Sequence, residues 1–141
     1  MEAWINKLYE TFIETEYYKL LLEGLGNTLI ITAGALVIGV VIGMLIALIK
    51  FFAEDVPSLR PLSFICDLYV TVIRGIPVVV LLLIFYYIIM VSAEGTAVGI
   101  ITFGINSGAY MAELIRGGIG AVDRGQMEAG RSLGMSRLQA M

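Results

Sequence analysis

The chain has no histidine and a single cysteine, Cys66. Without a second cysteine no disulfide closes within it. Without histidine the usual zinc ligand sets, the Ser-His-Asp triad and the Cys-His dyad are excluded. Charge is scarce as well: 15% of the 141 residues are charged, with 9 Lys and Arg against 12 Asp and Glu and a net charge of -3. Phosphate binding needs clustered Lys and Arg, so nucleic acid is excluded as an expected partner. No Gly-x-x-x-x-Gly-Lys segment occurs, so the chain has no P-loop for ATP. The start lacks the pattern of a cleaved signal peptide: Glu2 stands where a positive region belongs, and no apolar run follows within the first twenty residues.

What is present is apolar. Hydrophobic residues make up 59% of the chain and the mean hydropathy is +0.92, whereas a soluble domain averages about half apolar and a quarter charged. A water-soluble globule of this size could not hide so much apolar surface. Residues 24–49, 75–93 and 95–112 carry no charge, in runs of 26, 19 and 18. Each is close to or above the ~18–20 residues that cross a bilayer as a helix, the form in which a segment satisfies its own backbone hydrogen bonds in lipid. The pattern predicts an all-α membrane protein with spans at about 25–49, 64–91 and 97–115, the second beginning before Arg74 because Phe64, Ile65, Leu68, Tyr69, Val70, Val72 and Ile73 extend the apolar run.

Lys and Arg counts in the flanks set the orientation. Lys50 and Arg60 follow the first span, and Arg116, Arg124, Arg131 and Arg137 follow the third, while the loop around Glu94 has neither Lys nor Arg. The N-terminus is therefore expected outside and residue 141 in the cytoplasm. Residues 1–23 read as an amphipathic segment with Trp4, Ile5, Leu8, Tyr9, Phe12 and Ile13 at helical spacing. It would lie along the outer interface with its aromatic residues at headgroup level, or pack on a neighbour as a solvated leader. Three Gly-x-x-x-Gly pairs, Gly39/Gly43, Gly95/Gly99 and Gly104/Gly108, predict spans that pack closely on other helices.

The last 25 residues, 117–141, read as a cytoplasmic loop. Gly117 and Gly118 are expected to end the third helix. Asp123 to Gln126 spells a capping box that opens a helix from about Arg124 to Leu133, Gly134 fits a left-handed residue that ends it, and Ser136 to Gln139 spells a second capping box. The sequence shows no energy-coupling group in the chain itself: it has no P-loop, and Glu113 is the one acid well inside the third segment. A cytoplasmic helix pair joined to a span would act on it as a lever; the bland alternative is a solvated, capped loop helix.

Residues Gln126 to Gly134 resemble the EAA loop of ATP-binding-cassette importer permeases, whose core is Glu-Ala-Ala, three residues and Gly. Here the core is Glu128, Ala129, Gly130 and Gly134, with Gly130 in place of the usual second Ala. Residues 106–117, Arg74-Gly-Ile-Pro77 and Gly26-Asn-Thr28-Leu resemble the polar amino acid subfamily, of the histidine and glutamine permease type. The resemblance implies a five-span permease of the bacterial inner membrane. On that pattern this chain holds spans one to three and most of the coupling loop. It also implies an ATPase subunit dimer that carries ATP and Mg, an extracytoplasmic amino-acid-binding protein, a second permease subunit (the same chain or a related one), and no cofactor in this chain. Glu128, Ala129, Gly130 and Gly134 would couple to the ATPase.

Several residues keep two readings. Thr102, Asn106, Tyr110 and Glu113 form one stripe of the third span and Thr28 and Thr32 a smaller one on the first; they would line a substrate path or bond other helices. Glu113 has Arg116 at i+3 as a partner. Arg74 would snorkel to the cytoplasmic headgroups or bind a carbonyl freed where Pro77 bends the helix, in a structural or a gating role. The rival functional reading is a membrane scaffold whose cytoplasmic helix pair recruits a partner without transport.

Overall fold

The computed structural model describes residues 4, 5, 9, 16–54 and 56–140, and among these the only regular structure is helical. Helix α1 spans Tyr17–Ala53. Its 37 residues reach about 55 Å at 1.5 Å per residue, well beyond the ~30 Å hydrocarbon core. It overruns the expected span at both ends because neither Leu20–Leu22 nor Phe51–Ala53 contains a breaker. The helix begins after Glu16, which takes a left-handed conformation (φ 55°) and pairs with Lys19 at 2.7 Å. Of the proposed amphipathic leader, Trp4, Ile5 and Tyr9 are helical and exposed; the other residues of that segment before Glu16 lie outside the described residues.

Helix α4, Gly95–Gly120, packs along α1, and the glycines fix how. A Cβ on Gly39 would meet Ser107 Cβ at 2.8 Å, one on Gly43 would meet Met111 Cβ at 2.6 Å, and ones on Gly104 and Gly108 would meet Ile38 and Ile42 side chains at 2.7 and 2.8 Å. Two of the three Gly-x-x-x-Gly pairs, Gly39/Gly43 and Gly104/Gly108, therefore face each other within the chain. Each glycine is the hole for a side chain of the other helix, and dispersion contacts between close backbones replace the hydrophobic drive that lipid does not supply. The contacts climb together, 34 with 100, 38 with 104, 42 with 108, so α1 and α4 are parallel. Parallel neighbours require the chain between them to return to its starting side.

Residues 56–94 make that return, but not as the single straight span the sequence pattern suggests. A 3₁₀ turn (Pro57–Leu59) leads into α2, Arg60–Gly75; α3, Val78–Ile84, follows and runs into a π-helical turn, Phe85–Ile89. The two halves are bent by 103°. Pro77 has no N–H to continue the helix and pushes Ile76 into extended backbone (φ -95°, ψ 127°). The Pro77 carbonyl then starts α3 by accepting the Leu81 N–H at 3.1 Å. By length and composition the described residues thus hold two helices able to cross a membrane, or three if the bent pair is one span.

The core where the three segments meet is small: Ile46, Cys66, Val70 and Ala112 are buried, with Ile42, Ile49 and Tyr69 packed on them. Most large apolar side chains of α1 instead face outward, Leu29, Leu36, Val37, Val41 and Leu45 among them, an apolar belt far larger than a soluble monomer exposes.

The third helix does not stop at Gly117 and Gly118, as the sequence suggested. Both keep right-handed helical backbone, Ala121 N–H bonds the Gly117 carbonyl at 3.0 Å, and α4 runs on to Gly120. Two short helices follow, α5 (Arg124–Ser132) and α6 (Arg137–Ala140).

Candidate functional site

Residues 123–140 fold as a capped helix, a turn and a second capped helix, with the first cap differing from the expected capping box. Asp123 is the N-cap of α5, and its carboxylate accepts the Gly125 N–H at 2.6 Å, taking the second helical amide rather than the third. At the other end Gly134 adopts φ 85°. Met135 N–H bonds the Gly130 carbonyl at 3.2 Å and Gly134 N–H bonds the Arg131 carbonyl at 3.0 Å, a complete Schellman cap. The second capping box is reciprocal: Ser136 N–H donates to Gln139 Oε1 at 2.9 Å, and Gln139 N–H donates to Ser136 Oγ at 3.4 Å. The result is a helix, a tight turn and a helix held by backbone and caps.

Gly130 explains its own departure from alanine. A Cβ there would lie 3.0 Å from Ala140 Cβ, so the missing methyl lets α6 fold down on α5. Glu128 and Ala129 are exposed beside it. Between this pair and the ends of α1 and α4 lies an open cavity of about 1010 Å³, lined by residues that include Lys50, Arg60, Arg116, Met127, Glu128 and Arg131.

One step toward the spans, five charges from three helices form a cluster. Glu113 on α4 is the hub: Arg116 Nε and Nη2 donate to its two oxygens at 3.2 and 3.0 Å, Arg74 Nη1 of α2 lies at 3.5 Å and Lys50 Nζ of α1 at 3.6 Å. Lys50 also pairs with Asp67 at 2.5 Å, and only 15% of its side chain is exposed. The expected Glu113–Arg116 pair is present. Exposed ion pairs contribute at most about 1 kcal/mol each, but charges at a membrane edge are costly unless paired, so the cluster's main effect is to fix α1, α2 and α4 to one another at this end. Tyr69 adds a neutral tie, donating its hydroxyl to the Ile105 carbonyl at 2.6 Å.

Arg74 does not take a carbonyl freed by Pro77. The Ile73 carbonyl accepts Ile76 N–H at 3.4 Å, and the guanidinium sits by Glu113 and 5.2 Å from the Tyr110 ring centroid. Of the proposed path stripe, Thr102 is fully buried with no hydrogen-bond partner for its hydroxyl, Asn106 is half-buried, and Tyr110 is exposed. Thr28 and Thr32 line a separate groove of about 490 Å³ with Phe103 and Ser107, and Thr28 donates to the Gly24 carbonyl at 2.8 Å. Asp67 escaped the sequence reading, which gives Lys50 only as a flanking charge, not as a partner of Glu113. The available signal was an ionisable residue at the edge of, or within, an apolar helix, each seeking a partner on another helix.

Fold and site together define a helical membrane protein in which a capped helix pair follows the last span. The family described as binding-protein-dependent transport system inner membrane component matches residues 39–141, and the chain belongs to it. The chain is 34% identical over 137 residues to the Probable amino-acid ABC transporter permease protein YckA of Bacillus subtilis, covering 95% of this chain and 58% of that protein. It is 35% identical over 119 residues to the arginine transport system permease protein ArtQ of the same organism, covering 82% and 52%. A crystal structure of an amino acid ABC transporter with histidines matches 91% of this chain and 59% of its own, with 40% identity and a TM-score of 0.78. The chain thus spans about half the length of the curated relatives it matches. These relatives are permeases rather than enzymes, and nothing in them favours the scaffold reading.

Proposed function

We infer that this chain is membrane-spanning sequence of a permease subunit in an ATP-driven importer of polar amino acids. The observation that carries the reading is the capped α5–Gly134–α6 pair, built on the Glu128-Ala129-Gly130 signature and attached to the end of a span. Its exposed face docks an ATPase subunit, one of a dimer that binds ATP and Mg. An extracytoplasmic binding protein delivers the amino acid, and a second permease subunit, identical or related, completes the path. The N-terminus lies outside. The clustering of Lys50, Arg74 and Arg116 around Glu113 at the end that leads to α5 supports this orientation, because cationic flanks favour the cytoplasm.

Asn106 and Tyr110, one turn apart on α4, are proposed to contact the passing substrate, with Thr102 continuing the stripe toward the outside. Arg74 and Pro77 have a structural and gating role: Pro77 sets the break in the return segment, and Arg74 ties the end of α2 to the α4 hub. Liposomes holding the permease with its ATPase and binding protein should accumulate a polar amino acid only when ATP and the binding protein are both supplied. ATPase binding without any ATP-dependent uptake would instead favour the recruiting scaffold.

A further inference from the structure

The order that braces α4 ends abruptly at Arg116, whose guanidinium holds Glu113 with two hydrogen bonds. Three of the next four residues are glycine: Gly117, Gly118 and Gly120. Nothing among the described residues calls for them. All three are exposed, none has positive φ, and a Cβ on any of them would meet nothing within 4 Å. They contrast with Gly39, Gly43, Gly104 and Gly108, each of which receives a side chain of the opposite helix.

Their spacing also argues against a covered face. At about 100° per residue the three point across an arc of roughly 160°, whereas the members of a Gly-x-x-x-Gly pair lie only about 40° apart. Glycine is the poorest helix former after proline, because its backbone has the most freedom to lose. A helix that places three of them where alanine would fit is soft at that point. Beyond it, among the described residues, the backbones of α5 and α6 lie close to each other and to no other helix. The cavity of about 1010 Å³ that separates them from the ends of α1 and α4 leaves room to swing.

We propose that Gly117–Gly120 is a hinge, placed between the ion-braced end of the spans and the rigid α5–α6 pair, through which that pair changes its angle as a partner engages it. The pair itself stays stiff, held by the Schellman turn and the capping box, so motion is confined to one helical turn. The mechanical role rests on the ATPase-docking reading above; the softness of the segment does not.

The test places spin labels at Ser58→Cys and Gln126→Cys in a Cys66→Ala background, with the chain in lipid nanodiscs, and measures the distance distribution. The native glycines should give a broad distribution. The triple variant Gly117→Ala/Gly118→Ala/Gly120→Ala should narrow it at least twofold, and addition of the ATPase subunit should narrow the native one. Equal widths for native and triple-alanine chains overturn the hinge. In the assembled transporter the triple variant should still co-purify with the ATPase yet lose at least fivefold of the hydrolysis stimulated by the binding protein; unchanged stimulation overturns the mechanical role. If the ATPase co-purifies with neither chain, the docking reading falls, while the comparison of widths still decides the hinge.

Discussion

Gly43→Ala should destabilise the α1–α4 pair by about 1–3 kcal/mol, the usual cost of forcing extra methyl groups into a packed contact. The new Cβ would lie 2.6 Å from Met111 Cβ and 2.9 Å from the backbone nitrogen of Ala112. A side chain could rotate away from such an approach, but the Ala112 backbone cannot, so the helices themselves must separate. Separation would loosen the neighbouring holes at Gly39 and Gly108 and draw Lys50 on α1 away from Glu113 on α4. Gly26→Ala, on the same helix with nothing within 4 Å, is the control and should leave stability unchanged or slightly raised. Unfolding from mixed micelles by titrated denaturing detergent reads the difference between the two variants.

Gly134→Leu should cut ATPase stimulation and amino acid uptake at least tenfold while leaving the chain in the membrane at normal amounts. At φ 85° a residue with a Cβ pays about 1–2 kcal/mol of local strain, roughly what the turn's two backbone hydrogen bonds contribute. The turn would unwind, Met135 N–H would lose the Gly130 carbonyl, and α6 would leave its seat on α5. The damage stays local because, among the described residues, the backbones of α5 and α6 come close to no other helix, so the spans still fold. Parallel assays of membrane abundance and of ATP hydrolysis separate loss of coupling from loss of protein. Hydrolysis and uptake that both survive Gly134→Leu would show that the turn transmits nothing.

The parts of this architecture that depend on local chemistry were legible in the sequence. Uncharged runs located α1 and α4, because length and charge alone decide whether a helix can sit in lipid. The α5–α6 pair could be read residue by residue, since a cap, a left-handed glycine and a second cap are each a rule about neighbours in sequence. What could not be read depended on distant residues. The glycine pairs predicted close packing, yet only the structure shows that Gly39 and Gly43 receive Ser107 and Met111 of the same chain. Pro77 announced a bend, but a 103° turn also needs the extended Ile76 and a fresh helix start at Val78. Gly117 and Gly118 read as a stop and proved helical, because glycine permits a left-handed ending without requiring one, and no residue there has a competing capping bond. The charge hub is likewise a tertiary fact: Lys50 and Arg74 are far from Glu113 in sequence and meet it, and Asp67 meets Lys50, only through the packing of α1 and α2 against α4.

Parallel α1 and α4 place the ends that carry Lys50 and Arg116 together, so the side of the membrane on which α5 lies is a single question for the whole chain. The direct measurement is labelling of Ala129→Cys, in a Cys66→Ala background, by a membrane-impermeant maleimide in right-side-out and inverted vesicles, with and without the ATPase subunit. Labelling only in inverted vesicles, and its loss when the ATPase is bound, is the predicted result. Labelling in right-side-out vesicles, or reactivity that the ATPase does not alter, would contradict a cytoplasmic docking site on α5.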